Sequence, residues 1–402
     1  MSSANVEGPP PMVAPADRAR ALRFIVCMGA VSLFADMTYE GAYSILGPYL
    51  KELGATAWQV GLIAGLGELL AASLRYFSGR FADRTGAYWP IALSGYALNL
   101  MVVPLLAFAV SWQAAALLVV VERTGKALRG PARDVLLSGA TGKIGHGWGF
   151  GVHAAMDQTG AVAGPLLMVA VVARQHHFAP AFLRLAVPAA LAFVAMAVAF
   201  FVDPSRGSPP PRKDAKELPA LFWTYVAGAG LLAAGFADFP MLGFHLQKTG
   251  LAAPETIPLL YAGAMAVNGA TALLCGKLYD RYGMIILVVG TVISALSLPL
   301  GFLGDFNAVV LAVCCWAIGL GAQDASLRAG IAQVVSMNKR GSAFGAFNGV
   351  FGVMWFVGSA VMGGLYEYSL VTLVAFGMIA QLAGAWVFWR LRKPLAEAIA
   401  SG

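Results

Sequence analysis

Long apolar runs recur from residue 22 almost to the end of the chain, separated by short polar turns. Cut at those turns, the chain gives twelve segments: 22–50, 58–78, 88–109, 113–136, 147–172, 181–202, 220–247, 255–275, 284–303, 307–335, 343–365 and 370–391. Each is long enough, as a helix, for a hydrocarbon core of about 30 Å. Residues 1–20 are rich in Pro, Ala and Ser and lack an apolar core. They read as a mobile tail rather than a signal peptide, which needs a basic start followed by an apolar run. The longest polar stretch, 203–219, carries Ser-Pro-Pro-Pro and mixed charge, as expected of a linker.

Composition supports the membrane reading. Hydrophobic residues make up 59% of the 402, charged residues 12%, and the mean hydropathy is +0.73, whereas soluble domains carry about 25% charged residues. Forty-seven glycines and nine tryptophans suit packed membrane helices, Gly for close backbone approach and Trp for the interfaces. The net charge of +7 does not point to nucleic acid, because the basic residues are scattered between apolar runs with no block able to track a phosphate backbone. Cys27, Cys275, Cys314 and Cys315 lie within apolar runs without metal-ligand spacing, so they read as buried thiols.

The basic residues also give an orientation. The tails and even-numbered turns hold Arg18, Arg20, Arg80, Arg84, Lys143, Arg206, Arg212, Lys213, Lys216, Lys277, Arg281, Lys339, Arg340, Arg392 and Lys393. The other face holds Lys51, Arg174 and Lys248, with Arg184 near that edge. The positive-inside rule then places both termini in the cytoplasm; the expected location is the plasma (inner) membrane, with the lipid bilayer as solvent.

The chain is doubled. Phe34-Ala35-Asp36-x4-Gly41 in span one returns as Phe236-Ala237-Asp238-x4-Gly243 in span seven. Gly79-Arg80-Phe81-Ala82-Asp83-Arg84-Thr85-Gly86 returns as Gly276-Lys277-Leu278-Tyr279-Asp280-Arg281-Tyr282-Gly283, and Phe150-Gly151 as Phe344-Gly345. Three pairs in one order predict two homologous halves. The expected fold is an all-α polytopic membrane protein of twelve transmembrane helices in two six-helix pseudo-symmetric halves. Residues 21–202 and 220–395 form the halves, and 1–20 and 396–402 are cytoplasmic tails. Such halves resemble secondary transporters, whose site lies at the midplane between repeats.

The Gly79-x3-Asp83-Arg84-x-Gly86 motif resembles the signature loop of the major facilitator superfamily in place and sequence, although Ala87-Tyr88-Trp89 replace the basic residues that usually follow. The resemblance covers residues 20–395. It implies a gate in which Asp83 latches against a basic group or a helix N-terminus, with Arg133 and the start of span eleven as candidate partners and Asp280-Arg281 as the counterpart in the second half. A solvated carboxylate in a basic turn is the alternative. In span five, Gly151-x8-Gly160-x3-Gly164-Pro165 is similar to the glycine-proline pattern of the antiporter branch, with Met168-Val169 in place of its closing glycines. Generic glycine packing of membrane helices would leave the same pattern.

Charge at mid-membrane costs about 2.5–3.5 kcal/mol on insertion scales, so its presence there is informative. Asp36, Glu40, Glu68, Glu122, Asp157, Asp238 and Asp324 lie within spans and must line a wet cavity or meet cations. Asp36 and Asp238 occupy matching repeat positions in spans that border the central cavity of the superfamily. Both are candidate proton carriers, with Glu40 or Arg123 modulating Asp36; acceptance of fixed bonds from a neighbouring helix is the competing reading. Arg123, Lys126, Arg129 and Arg133 share one broad side of span four. Arg123 resembles an arginine that the family associates with proton transfer. The stripe could bind an anionic substrate, balance the acids, or anchor the helix.

His153 and Asp157, one turn apart, could share a proton. Arg75 is placed to pair with Glu68, and Asp324 with Arg328. Asn268 and Asn348 are candidate cavity polar groups, and Tyr39, Tyr43, Phe239, Trp316 and Trp355 candidate aromatic walls. His176-His177 is too isolated for a metal site. The chain carries no Gly-x4-Gly-Lys-Ser/Thr and no His-Glu-x2-His, which argues against an enzyme. The expected activity is secondary active transport of a small organic solute by alternating access, coupled to protons and directed to export. The proton gradient supplies the energy without a cofactor, and the protein works as a monomer. Proton-coupled uptake of an organic anion and a transport-dead receptor or scaffold are the alternatives.

Overall fold

The computed structural model describes residues 15–141, 146–175, 177–203, 220–334 and 340–400; positions 15, 16, 76, 83, 141, 146–151, 175, 280, 328, 332–334, 340–342 and 393–400 are described in backbone only. The helices are α1 (Pro15–Glu52), α2 (Ala57–Thr85), α3 (Tyr88–Leu105), α4 (Trp112–Thr141), α5 (His146–Gln175), α6 (Ala179–Arg184), α7 (Ala186–Val202), α8 (Ala220–Gly235), α9 (Phe239–Thr249), α10 (Thr256–Tyr282), α11 (Ile285–Ala295), α12 (Ser297–Leu303), α13 (Phe306–Val334), α14 (Arg340–Tyr368) and α15 (Leu370–Ala400). Pairing α6 with α7, α8 with α9 and α11 with α12 restores the twelve expected segments. Eleven are long and apolar enough to cross a membrane. The twelfth, α4, has 30 residues but carries Glu122, Arg123, Lys126, Arg129, Arg133 and Asp134. An even number of spans leaves both termini on one face, here called the terminal face.

Helices outrun the apolar runs on the terminal face. α1 begins at Pro15, inside the stretch expected to be a mobile tail, because proline lacks the amide that a first turn leaves unpaired and Asp17 suits the N-terminal dipole. α15 likewise continues to Ala400, across the stretch expected to be a C-terminal tail. The linker residues 204–219 lie outside the described residues. The signature motif is not a loop: Gly79 to Thr85 are the last turns of α2. Gly86 ends the helix in the left-handed region at φ 67°, its N–H bonding the carbonyl of Ala82. A Cβ is strained there, so Gly86→Ala is expected to cost about 1 kcal/mol and Gly86→Asn less, read as denaturation midpoints in detergent.

Close glycine crossings set the helix spacing. A Cβ at Gly160 would overlap the carbonyl oxygen of Leu33, and one at Gly164 that of Met37, so α5 lies backbone against backbone on α1. Between the halves the same device operates on the far face, opposite the termini. A Cβ at Gly47 of α1 would overlap the Pro240 carbonyl oxygen of α9, and one at Gly61 of α2 that of Ser359 in α14. Lys51 Nζ donates to the carbonyl of Gln247 at 3.0 Å and the Trp58 amide to Glu367 Oε1 at 3.2 Å, tying the far-face turns together. The halves are sealed on that side.

Span seven is broken at Phe236–Asp238, between α8 and α9. Pro240 sits in the first turn of α9, where its missing N–H is harmless. The exposed carbonyls find side chains instead: Trp316 Nε1 donates to Ala237 O at 2.8 Å and Gln381 Nε2 to Gly235 O at 2.9 Å. Broken backbone survives at membrane depth only where protein satisfies it.

Candidate functional site

Between the halves lies a cavity of about 380 Å³. The far-face crossings bound it on one side, and it continues toward the terminal face past Arg75, Leu327 and Phe347. Its two walls differ in chemistry. α1, α2, α4 and α5 present Asp36, Glu40, Glu68, Arg123, Lys126 and Asp157. The second half presents rings, Tyr261, Trp316, Phe347, Phe351 and Trp355, with Asp238 and Asp324.

The charged wall is a ladder. α1 and α4 run antiparallel, and their periods bring one face of each together rung by rung. Arg123 Nη1 lies 3.1 Å from Glu68 Oε1 and its Nε 3.3 Å from Glu122 Oε2, with the guanidinium 4.8 Å from the Tyr43 ring centre. Lys126 Nζ lies 3.8 Å from Glu40 Oε1 and 3.8 Å from the Tyr39 ring centre. Arg129 Nη2 lies 3.9 Å from Asp36 Oδ1, its guanidinium between Tyr39 and Tyr96 at 5.4 and 4.5 Å. Arg133 Nη2 meets Asp134 at 2.9 Å, and its Nη1 lies 3.9 Å from Asp157 Oδ1 and 3.4 Å from Ser32 Oγ. Every cation of the stripe therefore has a carboxylate within 3.9 Å.

Several expected partnerships change. The cation beside Asp36 is Arg129, not Arg123, which is held nearly two turns further along by Glu68 and Glu122. Glu68 thus meets Arg123 rather than only the expected Arg75, which has contacts of its own. His153 Nε2 pairs with Ser32 Oγ at 2.8 Å, while the carboxylate of Asp157 turns toward Arg133. Glu122, Arg129 and His153 are buried behind the wall rather than in it, and Phe239 is buried beneath Tyr261 and Trp316. Tyr39, Tyr43, Asn268, Asp324, Asn348, Trp316 and Trp355 line the cavity. Arg84 and Arg281 are exposed at the ends of α2 and α10 on the terminal face, and a Cβ added at Gly79 would come within 3.3 Å of the Pro131 Cβ. The side chains of Asp83, Asp280 and Arg328 fall outside the described residues, and Gly151 is described in backbone only, within α5.

The two matched aspartates differ. Asp36 sits in unbroken α1, 2% exposed, and its Oδ1 has no hydrogen-bond partner. Asp238 stands at the break before α9 and accepts three bonds: from Tyr43 OH at 3.3 Å, Trp355 Nε1 at 2.9 Å and Ser359 Oγ at 2.7 Å. Sequence reasoning missed Asn99, whose Nδ2 donates to Glu122 Oε1 at 2.6 Å, and Tyr261, whose OH reaches Glu40 Oε2 across the halves at 2.6 Å. It also missed Gln158, which donates to Met265 O across the halves at 2.5 Å. Asn99 was findable as the lone amide of an apolar span; nothing marked Ser359.

Two repeated bundles around a midplane cavity, with one span broken beside it, are the anatomy of a secondary transporter. The sequence model of the Major Facilitator Superfamily matches residues 28–359 and again 238–401. The chain belongs to that superfamily. An uncharacterised protein of Mycobacterium tuberculosis is 39% identical over 386 residues, 93% of this chain and 94% of its own length. An uncharacterised MFS-type transporter of Methanocaldococcus jannaschii is 22% identical over 367 residues, 88% of this chain and 91% of its own. Among solved structures, a nucleoside transporter superposes with a TM-score of 0.71 at 14% identity, over 93% of this chain and 99% of that one. A POT family transporter in complex with 5-aminolevulinic acid gives 0.75 at 13%, over 92% and 96%. At such identity these likenesses speak for the fold alone. The superfamily member described here is a multi-pass membrane transporter of a small solute, not an enzyme.

Proposed function

We propose that this transporter exchanges protons for a small organic solute by alternating access, exporting the solute across the plasma membrane with both termini in the cytoplasm. Residues 21–202 and 220–395 rock as two bodies about the cavity, within a single monomer. The observation that carries the reading is Asp36: a carboxylate deep in the membrane, beside Arg129 at 3.9 Å, with one oxygen lacking a hydrogen-bond donor. A group so placed gains a partner by taking a proton or by closing on the guanidinium, so its two protonation states favour different packings. Asp238 is the second proton site, and Glu40 and Lys126 adjoin the first. The antiporter-like glycines of α5 and the basic excess on the terminal face support the direction and orientation. Uptake of an anion is disfavoured because the stripe cations already face carboxylates.

The test is purified protein in liposomes holding a lumenal pH dye, challenged with outward gradients of lipophilic cations, organic anions and amino acids. Proton movement opposite to a solute, abolished by an uncoupler, is the expected result. Counterflow with no proton movement would mean facilitated diffusion instead. The gate has its own test. Asp83, at the end of α2, is assigned to latch the terminal face shut, so Asp83→Asn should depopulate the state open to the far face. Unchanged labelling of single cysteines from both sides would remove the latch.

A further inference from the structure

We propose that the solute is an organic cation with a flat apolar body, its charge held by Asp238 and its body lying against Trp355, Trp316 and Tyr261. The proposal rests on reading the cavity as the solute site and adds the chemistry of what enters it. Three observations on separate parts of the molecule converge.

The first is where charge is left over. On the first-half wall each cation of α4 stands within 3.9 Å of a carboxylate, so every one of those cations is matched within its own half. Asp238 differs. Among the described residues its donors are two hydroxyls and an indole N–H, with no Lys, Arg or His within ion-pair distance. Neutral donors spread a carboxylate's charge without cancelling it, so a counter-ion gains more at Asp238 than anywhere on the ladder. No cation of the α4 stripe is left over to meet an anion.

The second is the surface around that charge. Trp316, Trp355 and Tyr261 line the cavity next to Asp238 and are fixed by one another and by the rings behind them. Phe236 lies 5.5 Å from Trp316 and 5.4 Å from Trp355 between ring centres, and Phe239 4.5 Å from Tyr261. Both indole N–H groups are already used, Trp316 on Ala237 O and Trp355 on Asp238. The rings therefore offer the cavity apolar faces, whose quadrupoles attract cations and repel anions.

The third is the size of the space. A cavity of about 380 Å³ lies in the range that takes a small drug-sized molecule.

The break in span seven gives the assignment its mechanical sense. Asp238 belongs to the second half, and Tyr43, one of its donors, to the first. A cation on Asp238 competes for the lone pairs that Tyr43 uses, which couples occupancy to a contact between the halves.

The experiment is ligand binding to the full-length protein in detergent, with no gradient, so that it does not depend on transport or proton coupling. The probes are benzyltrimethylammonium and benzylsulfonate, which share a body and differ in the sign of the charge; quenching of tryptophan fluorescence and thermal stabilisation are the readouts. The ammonium should bind and the sulfonate should not. Asp238→Asn should weaken the ammonium by about tenfold or more, and Asp238→Glu should restore part of it. Stokes radius and helix content of each variant show whether it has folded. Should Asp238→Asn not fold, Trp355→Leu, which removes the ring face, carries the test, and loss of ammonium affinity is expected there too. Sulfonate binding as tight as ammonium, or ammonium binding indifferent to Asp238 and Trp355, overturns the assignment. Either result would leave proton-coupled transport standing, and a failure of coupling in liposomes would leave the binding result standing.

Discussion

Asp36→Asn should abolish uphill transport while leaving solute exchange intact. Asparagine keeps the size of the side chain and can still turn a carbonyl oxygen toward Arg129, so packing of α1 on α4 survives. What it cannot do is cycle between charged and neutral. In one-for-one exchange with a proton, each pH unit across the membrane is worth about 1.4 kcal/mol, a tenfold solute ratio. The variant should lose that ratio and settle at equal concentrations inside and out. Labelled and unlabelled solute should still exchange, because substrate contacts and the rocking of the halves are untouched. Retention of the full gradient-driven ratio would take Asp36 out of the coupling mechanism. Loss of exchange as well would mean that the substitution disturbs the site itself, since Arg129 is buried and depends on its neighbours.

The second large effect is conformational. Gly47 and Gly61 touch only the opposite half, at backbone oxygens of Pro240 and Ser359, and a side chain at either cannot coexist with the sealed far face. Backbone oxygens cannot swing aside as a long side chain would, and overpacking of this sort costs about 1–3 kcal/mol or more. Gly47→Val and Gly61→Val should therefore shift the population by about tenfold or more toward the state open on the far face. Single cysteines at cavity positions should become reactive from that side and protected from the other. Gly160→Val is the contrast. Its obstruction, the Leu33 carbonyl, lies within the same half, so no rocking motion relieves it, and loss of folded protein is the expected outcome. If Gly47→Val behaves like Gly160→Val, the far-face seal is a fixed part of the fold rather than one of two states.

Much of this protein was determined by its sequence alone. Twelve apolar segments, two repeats and buried charge follow from the solvent: lipid forbids unpaired backbone and penalises charge, so spans and ionisable residues stand out in composition and spacing. The charged partners of the ladder, though not Tyr96 or Ser32, were visible too, since Arg123, Lys126, Arg129 and Arg133 on α4 and Asp36 and Glu40 on α1 fall at helical intervals. Their register was not. A shift of one turn pairs Asp36 with a different cation at equal cost in sequence terms, and only the packing of α1 against α4 in the folded bundle sets it. The difference between Asp36 and Asp238 was equally hidden. The repeat makes them equivalent, but Pro240 breaks span seven, and Tyr43, Trp355 and Ser359 come to Asp238 from residues 195, 117 and 121 positions away. Local chemistry along the chain names the groups that can act. Which of them meet is set by the packing of helices distant in sequence, and that is a property of the tertiary structure.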